Sequence, residues 1–177
     1  MKPLIATLLI VVGLPPAIAD QPTDCKGYRG DVSHELDLLG QPAASLNAGR
    51  DTKTIAHVDI DKHYAVKLVP QSSLKLAAKV DKAAADPAAH GGLLAFRTGE
   101  AGRYRVSLST AHWIDVVDAG NLVVSLDFQG QRDCAKLRKV VELELTGKRE
   151  FVLQLSGATD ESVGLAITRA PPFPPAE

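Results

Sequence analysis

Apolar and polar residues alternate with period two through most of the second half of the chain. Runs near 93–98, 103–109, 113–117, 121–127, 139–145, 150–156 and 162–168 show this alternation or dense β-branched content, each bounded by Gly, Asp or Asn. Earlier, Tyr64, Val66 and Leu68 alternate with Ala65, Lys67 and Val69 until Pro70 stops the run, and Leu74, Leu76 and Ala78 continue in the same style. Short strands spaced about 8–12 residues apart, with little helical periodicity, predict an all-β protein: an antiparallel β-sandwich or jelly roll of about eight strands. A short N-terminal helix is predicted over Asp31–Leu39, with Asp31 or Ser33 placed to cap it and Gly40 to end it. Residues 20–30 read as an irregular lead-in, Gln41 to Arg50 as loop, and Ala83 to Gly92 as a long flexible connection. Residues 169–177 form a proline-rich tail that cannot join a sheet ladder.

Three hairpins follow from placing apolar residues opposite each other. Phe96 with Tyr104 and Leu94 with Val106 leaves Gly99-Glu100-Ala101 as a loop. Leu145 with Phe151, Leu143 with Leu153 and Val141 with Leu155 leaves Gly147-Lys148-Arg149. Val116 with Leu122 and Ile114 with Val124 leaves Asp118-Ala119-Gly120. A one-residue slip would turn each apolar set outward.

The first nineteen residues alter the picture of where this domain works. Lys2 precedes an uncharged apolar stretch from Leu4 to Leu14, Pro15 and Pro16 break it, and Ala17-Ile18-Ala19 offers small residues where a signal peptidase reads. The apolar run is too short for the roughly 20 residues that cross a bilayer. The expectation is a signal peptide over 1–19, one sandwich domain over 20–168, the tail over 169–177, and a periplasmic or secreted protein with no membrane span. Cys25 follows Pro22-Thr23-Asp24 rather than a lipobox. In an oxidising compartment, Cys25 and Cys134 read as a disulfide. Closing so long a loop is worth about 4–5 kcal/mol in the chain-entropy model. Removing Lys2 with the leader takes the 20 basic side chains to 19 against 21 acidic ones, a formal charge of −2. That balance points away from nucleic acid and from a basic membrane-surface helix.

Candidate chemistry is sparse. In the first hairpin register, Arg97 falls opposite Arg103 on the face away from the core, with Arg105 next along it. Like charges set opposite each other call for an anion or for neutralising acids from a neighbouring strand. Trp113, the only tryptophan, points away from the core with Asp115, where it could stack on a sugar ring or a partner surface. The segment His57-Val58-Asp59-Ile60-Asp61-Lys62-His63, if extended, sets His57, Asp59, Asp61 and His63 on one face. Imidazole and carboxylate suit zinc or copper. Alternate residues on one strand stand about 7 Å apart, so all four cannot reach one ion. There is no Gly-x-Ser-x-Gly, no His-Glu-x-x-His and no Gly-rich phosphate loop. No catalytic residue and no cofactor is called for.

From Asp31 onward the chain resembles a group of small exported proteobacterial proteins of unassigned function. The resemblance rests on Asp31-Val32-Ser33-His34-Glu35-Leu36, Leu68-Val69-Pro70-Gln71, Gly102 to Leu108, Trp113 to Val117, Asp127-Phe128-Gln129-Gly130, Cys134, and Leu153 to Ala158. Gly102 to Val117 is also similar to the pre-peptidase C-terminal type of jelly-roll module, whose members accompany secreted enzymes and assist binding or secretion. A homogentisate 1,2-dioxygenase label, which proteins of this look have carried, does not fit. That enzyme's iron needs two His and a Glu from a cupin-type barrel, and no such motif can be matched. The expected function is a non-catalytic binding or accessory module recognising a glycan, a peptide or an envelope partner. The alternatives are a metal-binding periplasmic protein using His57–His63, or an enzyme with an unrecognised site.

Overall fold

The computed structural model describes residues 25–80, 86 and 88–171. The predicted signal peptide over 1–19, the start of the predicted lead-in to residue 24, the tail from Pro172 and part of the Ala-rich connection lie outside the described residues. One helix, α1 (Ser33–Leu39), precedes twelve strands: β1 (Ala44–Asn47), β2 (Ala56–Val58), β3 (Tyr64–Lys67), β4 (Val69–Pro70), β5 (His90–Arg97), β6 (Gly102–Leu108), β7 (Trp113–Asp118), β8 (Asn121–Leu122), β9 (Ser125–Gly130), β10 (Lys139–Leu145), β11 (Glu150–Ala158) and β12 (Ser162–Arg169). They form two sheets. The first runs β1-β3-β12-β6-β10-β9, the second β2-β5-β11-β7-β8 with β4 added beside β5. The fold is therefore the expected all-β sandwich. Short edge strands and the division of 121–127 into β8 and β9 raise the strand number above eight. Two edge pairs, β1–β3 and β2–β5, are parallel.

The alternation places side chains as anticipated. Tyr64, Val66, Tyr104, Val106, Leu143, Leu165 and Ile167 of the first sheet meet Leu94, Phe96, Val116, Phe151, Leu153 and Leu155 of the second in one buried core. Phe96 and Phe151 lie opposite each other in register and stack with ring centroids 5.6 Å apart.

Two of the three hairpins do not form. β5 and β6 belong to different sheets, as do β10 and β11. The chain crosses the sandwich at both loops, so β5 pairs with β11 while β6 pairs with β10. The two crossovers pack side by side: Lys148 N donates to Gly99 O at 3.0 Å, and Thr98 Oγ1 donates to Thr146 O at 2.7 Å. A Cβ on Gly147 would lie 2.6 Å from Ala101 N, so that close approach needs glycine. Strands facing each other across a core have the same inward apolar residues as strands paired in one sheet. Alternation therefore identifies the face and leaves the partner open.

The third hairpin forms one residue out of register. Val117 faces Leu122 and Asp118 faces Asn121 around the two-residue loop Ala119-Gly120. Both loop residues have positive φ, 47° and 87°, the geometry that matches strand twist in a tight hairpin. Four further expectations are corrected. The tail predicted from residue 169 to stay out of the ladders begins inside one, because Arg169 pairs with Tyr104 and Ala170 N donates to Arg103 O at 2.9 Å. The presumed loop at 41–50 contains β1, which pairs with β3. The Leu74–Ala78 segment is no strand but an irregular strap, and the presumed flexible connection already enters β5 at His90.

The strap covers the outer face of the second sheet, where the buried Gln154 side chain accepts from Ala77 N and Ala78 N and donates to Ala78 O. The lead-in and α1 cover the outer face of the first sheet. There Tyr28, Val32, Leu38 and Leu39 pack with Cys134, Leu137, Val140 and Ala166 as a second apolar cluster. Ser33 N donates to Asp31 Oδ1 at 2.9 Å at the helix start, although Val32 occupies the cap position itself. The Cys25–Cys134 disulfide, with an S–S distance of 2.01 Å, ties the lead-in down across 109 residues of sequence. The Tyr28 hydroxyl donates to Leu137 O at 2.6 Å, and its burial pushes its pKa up to about 12.

Candidate functional site

The candidate residues fall at separate places on the sandwich. Arg103 and Arg105 lie on the outer face of the first sheet, whereas Arg97 lies on β5 of the second, directly opposite Glu150. The predicted Arg97–Arg103 opposition is thus absent, because the hairpin that required it does not form. Arg97 is exposed and donates to Lys148 O at 2.8 Å.

Arg105 sits opposite Glu142 on β10, and its Nε donates to Glu142 Oε1 at 2.7 Å. Arg103 Nη2 donates to Glu142 Oε2. A second acid comes from α1: Glu35 is 3.4 Å from Arg105 Nη1 and accepts from Thr168 Oγ1 at 2.6 Å. Arg105 Nη1 also donates to Asp31 O at 2.5 Å. Burial pushes the Glu142 carboxyl upward, but the hydrogen bonds from Arg103 and Arg105 outweigh it and hold the group below its ordinary range. The arginines therefore find neutralising acids rather than an open anion site. A cleft of about 670 Å³ opens over them, walled by Arg29, Asp31, Leu126, Asp127, Gln129 and Pro171. At its rim Arg29 and Asp127 pair at 2.6 Å.

Trp113 and Asp115 belong to β7, on the other sheet, and do not share that cleft. Trp113 is 51% exposed. The Lys139 ammonium lies 5.1 Å from its ring centroid and donates to His112 O at 2.7 Å. Burial pushes the Asp115 carboxyl upward, against a hydrogen bond from Gln154 and the charge of Lys139. It pushes the Lys139 ammonium downward, against Asp115. The buried His112 ring is likewise held below its ordinary value by desolvation.

Trp113 has company that the alternation did not identify. The exposed large apolar side chains among the described residues are Trp113, Leu122, Val124, Leu126 and Phe128. All fall on β7, β8, β9 or the link between them, at the edge where both sheets end. Val124 is 86% exposed and Phe128 70%. Phe128 faces Val141 in register, on the core side of β10. The second sheet ends in the two-residue β8. A signal was present in the sequence: Leu122, Val123 and Val124 run apolar without alternation, which a half-buried strand does not do.

The His57–His63 segment does not form one extended face. β2 ends at Val58, and Asp61 turns the chain at φ 57°. His57 lies 3.7 Å from Glu150, Asp59 accepts from the Tyr64 hydroxyl, Asp61 meets His34 at 2.9 Å, and His63 Nδ1 contacts Gln41 O at 2.8 Å. Each has a different partner. Among the described residues no group of three or more His, Cys, Asp or Glu is arranged to hold a metal ion.

No family model matches the chain. A search of curated proteins likewise finds no match. Among the described residues no helix is long and apolar enough to cross a membrane.

Proposed function

We propose that this protein is a non-catalytic periplasmic or secreted binding module that engages a protein partner of the cell envelope through its β7–β9 edge. The observation carrying this reading is the concentration of exposed large apolar side chains on that edge, with Trp113 at one end and Phe128 at the other. Water-exposed apolar groups spread singly over a surface need no explanation, whereas their gathering on β7, β8, β9 and the link between them points to an interaction site. Edge strands are ordinarily protected by charge, proline or short length. β9 carries one charge, Asp127, already paired with Arg29, and offers Leu126 and Phe128 along its six residues. The N-terminal export pattern and the disulfide support an envelope location.

The test is capture from detergent-solubilised envelope fractions by the immobilised domain, beside the Trp113→Ala and Phe128→Asp variants. Specific retention of an envelope protein by the parent domain, lost in Phe128→Asp and weakened in Trp113→Ala, supports the reading. Equal retention by all three would remove the edge from consideration.

A further inference from the structure

We infer that the cleft on the outer face of the first sheet is a second binding site, one that takes a neutral, hydroxyl-rich saccharide. The inference rests on how the cleft's charges are already spent. Its floor carries Arg103, Arg105 and Glu142, with Glu35 held beneath Arg105, so that two guanidiniums meet two carboxylates, and the Asp31 carboxylate on the wall accepts from Ser33 N at 2.9 Å. Its rim repeats the balance, because Arg29 pairs with Asp127 at 2.6 Å. The Gln129 amide links the two, donating to Asp127 Oδ2 at 3.0 Å and to Arg29 O at 3.2 Å while accepting from Arg29 N at 2.5 Å.

An anion entering this cleft would have to displace a carboxylate from an arginine, and a cation reaching Glu142 or Asp127 would have to displace an arginine. Either exchange strands a charge in a partly buried place. A hydroxyl carries one donor and two acceptor sites, so it can accept from a guanidinium or amide and donate to a carboxylate without altering the charge balance. Sugars present such hydroxyls in adjacent pairs around an apolar C–H face. Leu126, half exposed on the same wall, offers an apolar surface for that face. At about 670 Å³ the cleft lies within the roughly 300–1,000 Å³ of small-ligand sites. Stability alone gives little reason for this floor, since buried ion networks can often be replaced by packed apolar residues at no loss. A depression of about 550 Å³ beside β1 and β3 carries only Lys67 and Glu161 as charged lining and has no comparable floor.

The experiment is NMR titration of the purified protein with glucose, N-acetylglucosamine, cellobiose and chitobiose, with glucose 6-phosphate as the anionic control. Saturable shifts confined to the amides of Arg29–Asp31 and Leu126–Gln129, from at least one neutral sugar, are the expected result. Affinity should fall about tenfold or more in Asp127→Ala, as for loss of one charge-assisted hydrogen bond. Arg29→Ala, at an exposed position, repeats the test should Asp127→Ala fail to fold. The inference is overturned if no neutral sugar perturbs these amides, if glucose 6-phosphate alone does, or if both variants bind as the parent does. Phe128→Asp should leave sugar binding unchanged. Leu126 belongs to both surfaces, but Phe128 belongs to the edge alone and Arg29 and Asp127 to the cleft alone, so the two can fail independently.

Discussion

The outer face of the first sheet and the β7–β9 edge are both surfaces that the central core does not need, and the chain treats them in opposite ways. Over the sheet face it lays a helix, a disulfide-bonded lead-in, a second apolar cluster and a closed set of ion pairs. On the edge it leaves a tryptophan, two leucines, a valine and a phenylalanine in water. Apart from the cleft, the first surface is covered, and the edge is not. On the proposed reading the bare edge is reserved for a partner.

The contrast can be broken most severely at Glu142. Glu142→Ala leaves two largely buried guanidiniums without their shared carboxylate, and should cost about 3–5 kcal/mol in urea unfolding. A cost under about 1 kcal/mol would mean that water or neighbouring acids replace it easily, as at an exposed ion pair. Opening the Cys25–Cys134 link by double substitution to alanine comes next, at about 2–5 kcal/mol. The second apolar cluster should loosen first, which hydrogen exchange at Tyr28 and Leu38 would register.

Acid supplies a smaller perturbation at both surfaces. His112 is held below its ordinary value of 6.5, so the unfolded chain takes up its proton first as pH falls. Its contribution is complete above 6.5 and is lost as pH drops through the lower folded value. Glu142, held below 4.5, behaves in the same sense in a more acidic window. Stability should thus decline in two stages on acidification, and His112→Gln should remove the first stage alone. Two unchanged stages in that variant would assign the loss elsewhere. The smallest effect belongs to Phe128→Asp. At a position 70% exposed, it should move stability by no more than about 0.5 kcal/mol. A larger loss would show that the ring supports the fold.

Much of the architecture was legible because burial imposes a period. Tyr104, Val106, Leu153 and Leu155 point inward as the alternation requires, and Arg103, Arg105, Trp113 and Asp115 point the other way. Pairing was less legible. Phe96 and Tyr104 are close in sequence and match in character, yet they enter one core from opposite sheets, because apolar complementarity is the same within a sheet as between sheets. The cysteine pair was readable from the export pattern and the even count. The site was readable only in fragments. Nothing local in Val-Val-Glu-Leu-Glu-Leu says that Glu142 will meet Arg105, since that contact depends on which strand β6 chooses. The five-member apolar edge depends on where two sheets happen to end.

The most direct measurement is site-specific photocrosslinking in the intact envelope. A benzophenone side chain placed at Val124 or Phe128 should give a discrete adduct with one envelope protein, and the same group at Lys53, in the turn before β2, should give none. Adducts of equal yield from all three positions, or from Lys53 alone, would contradict the account.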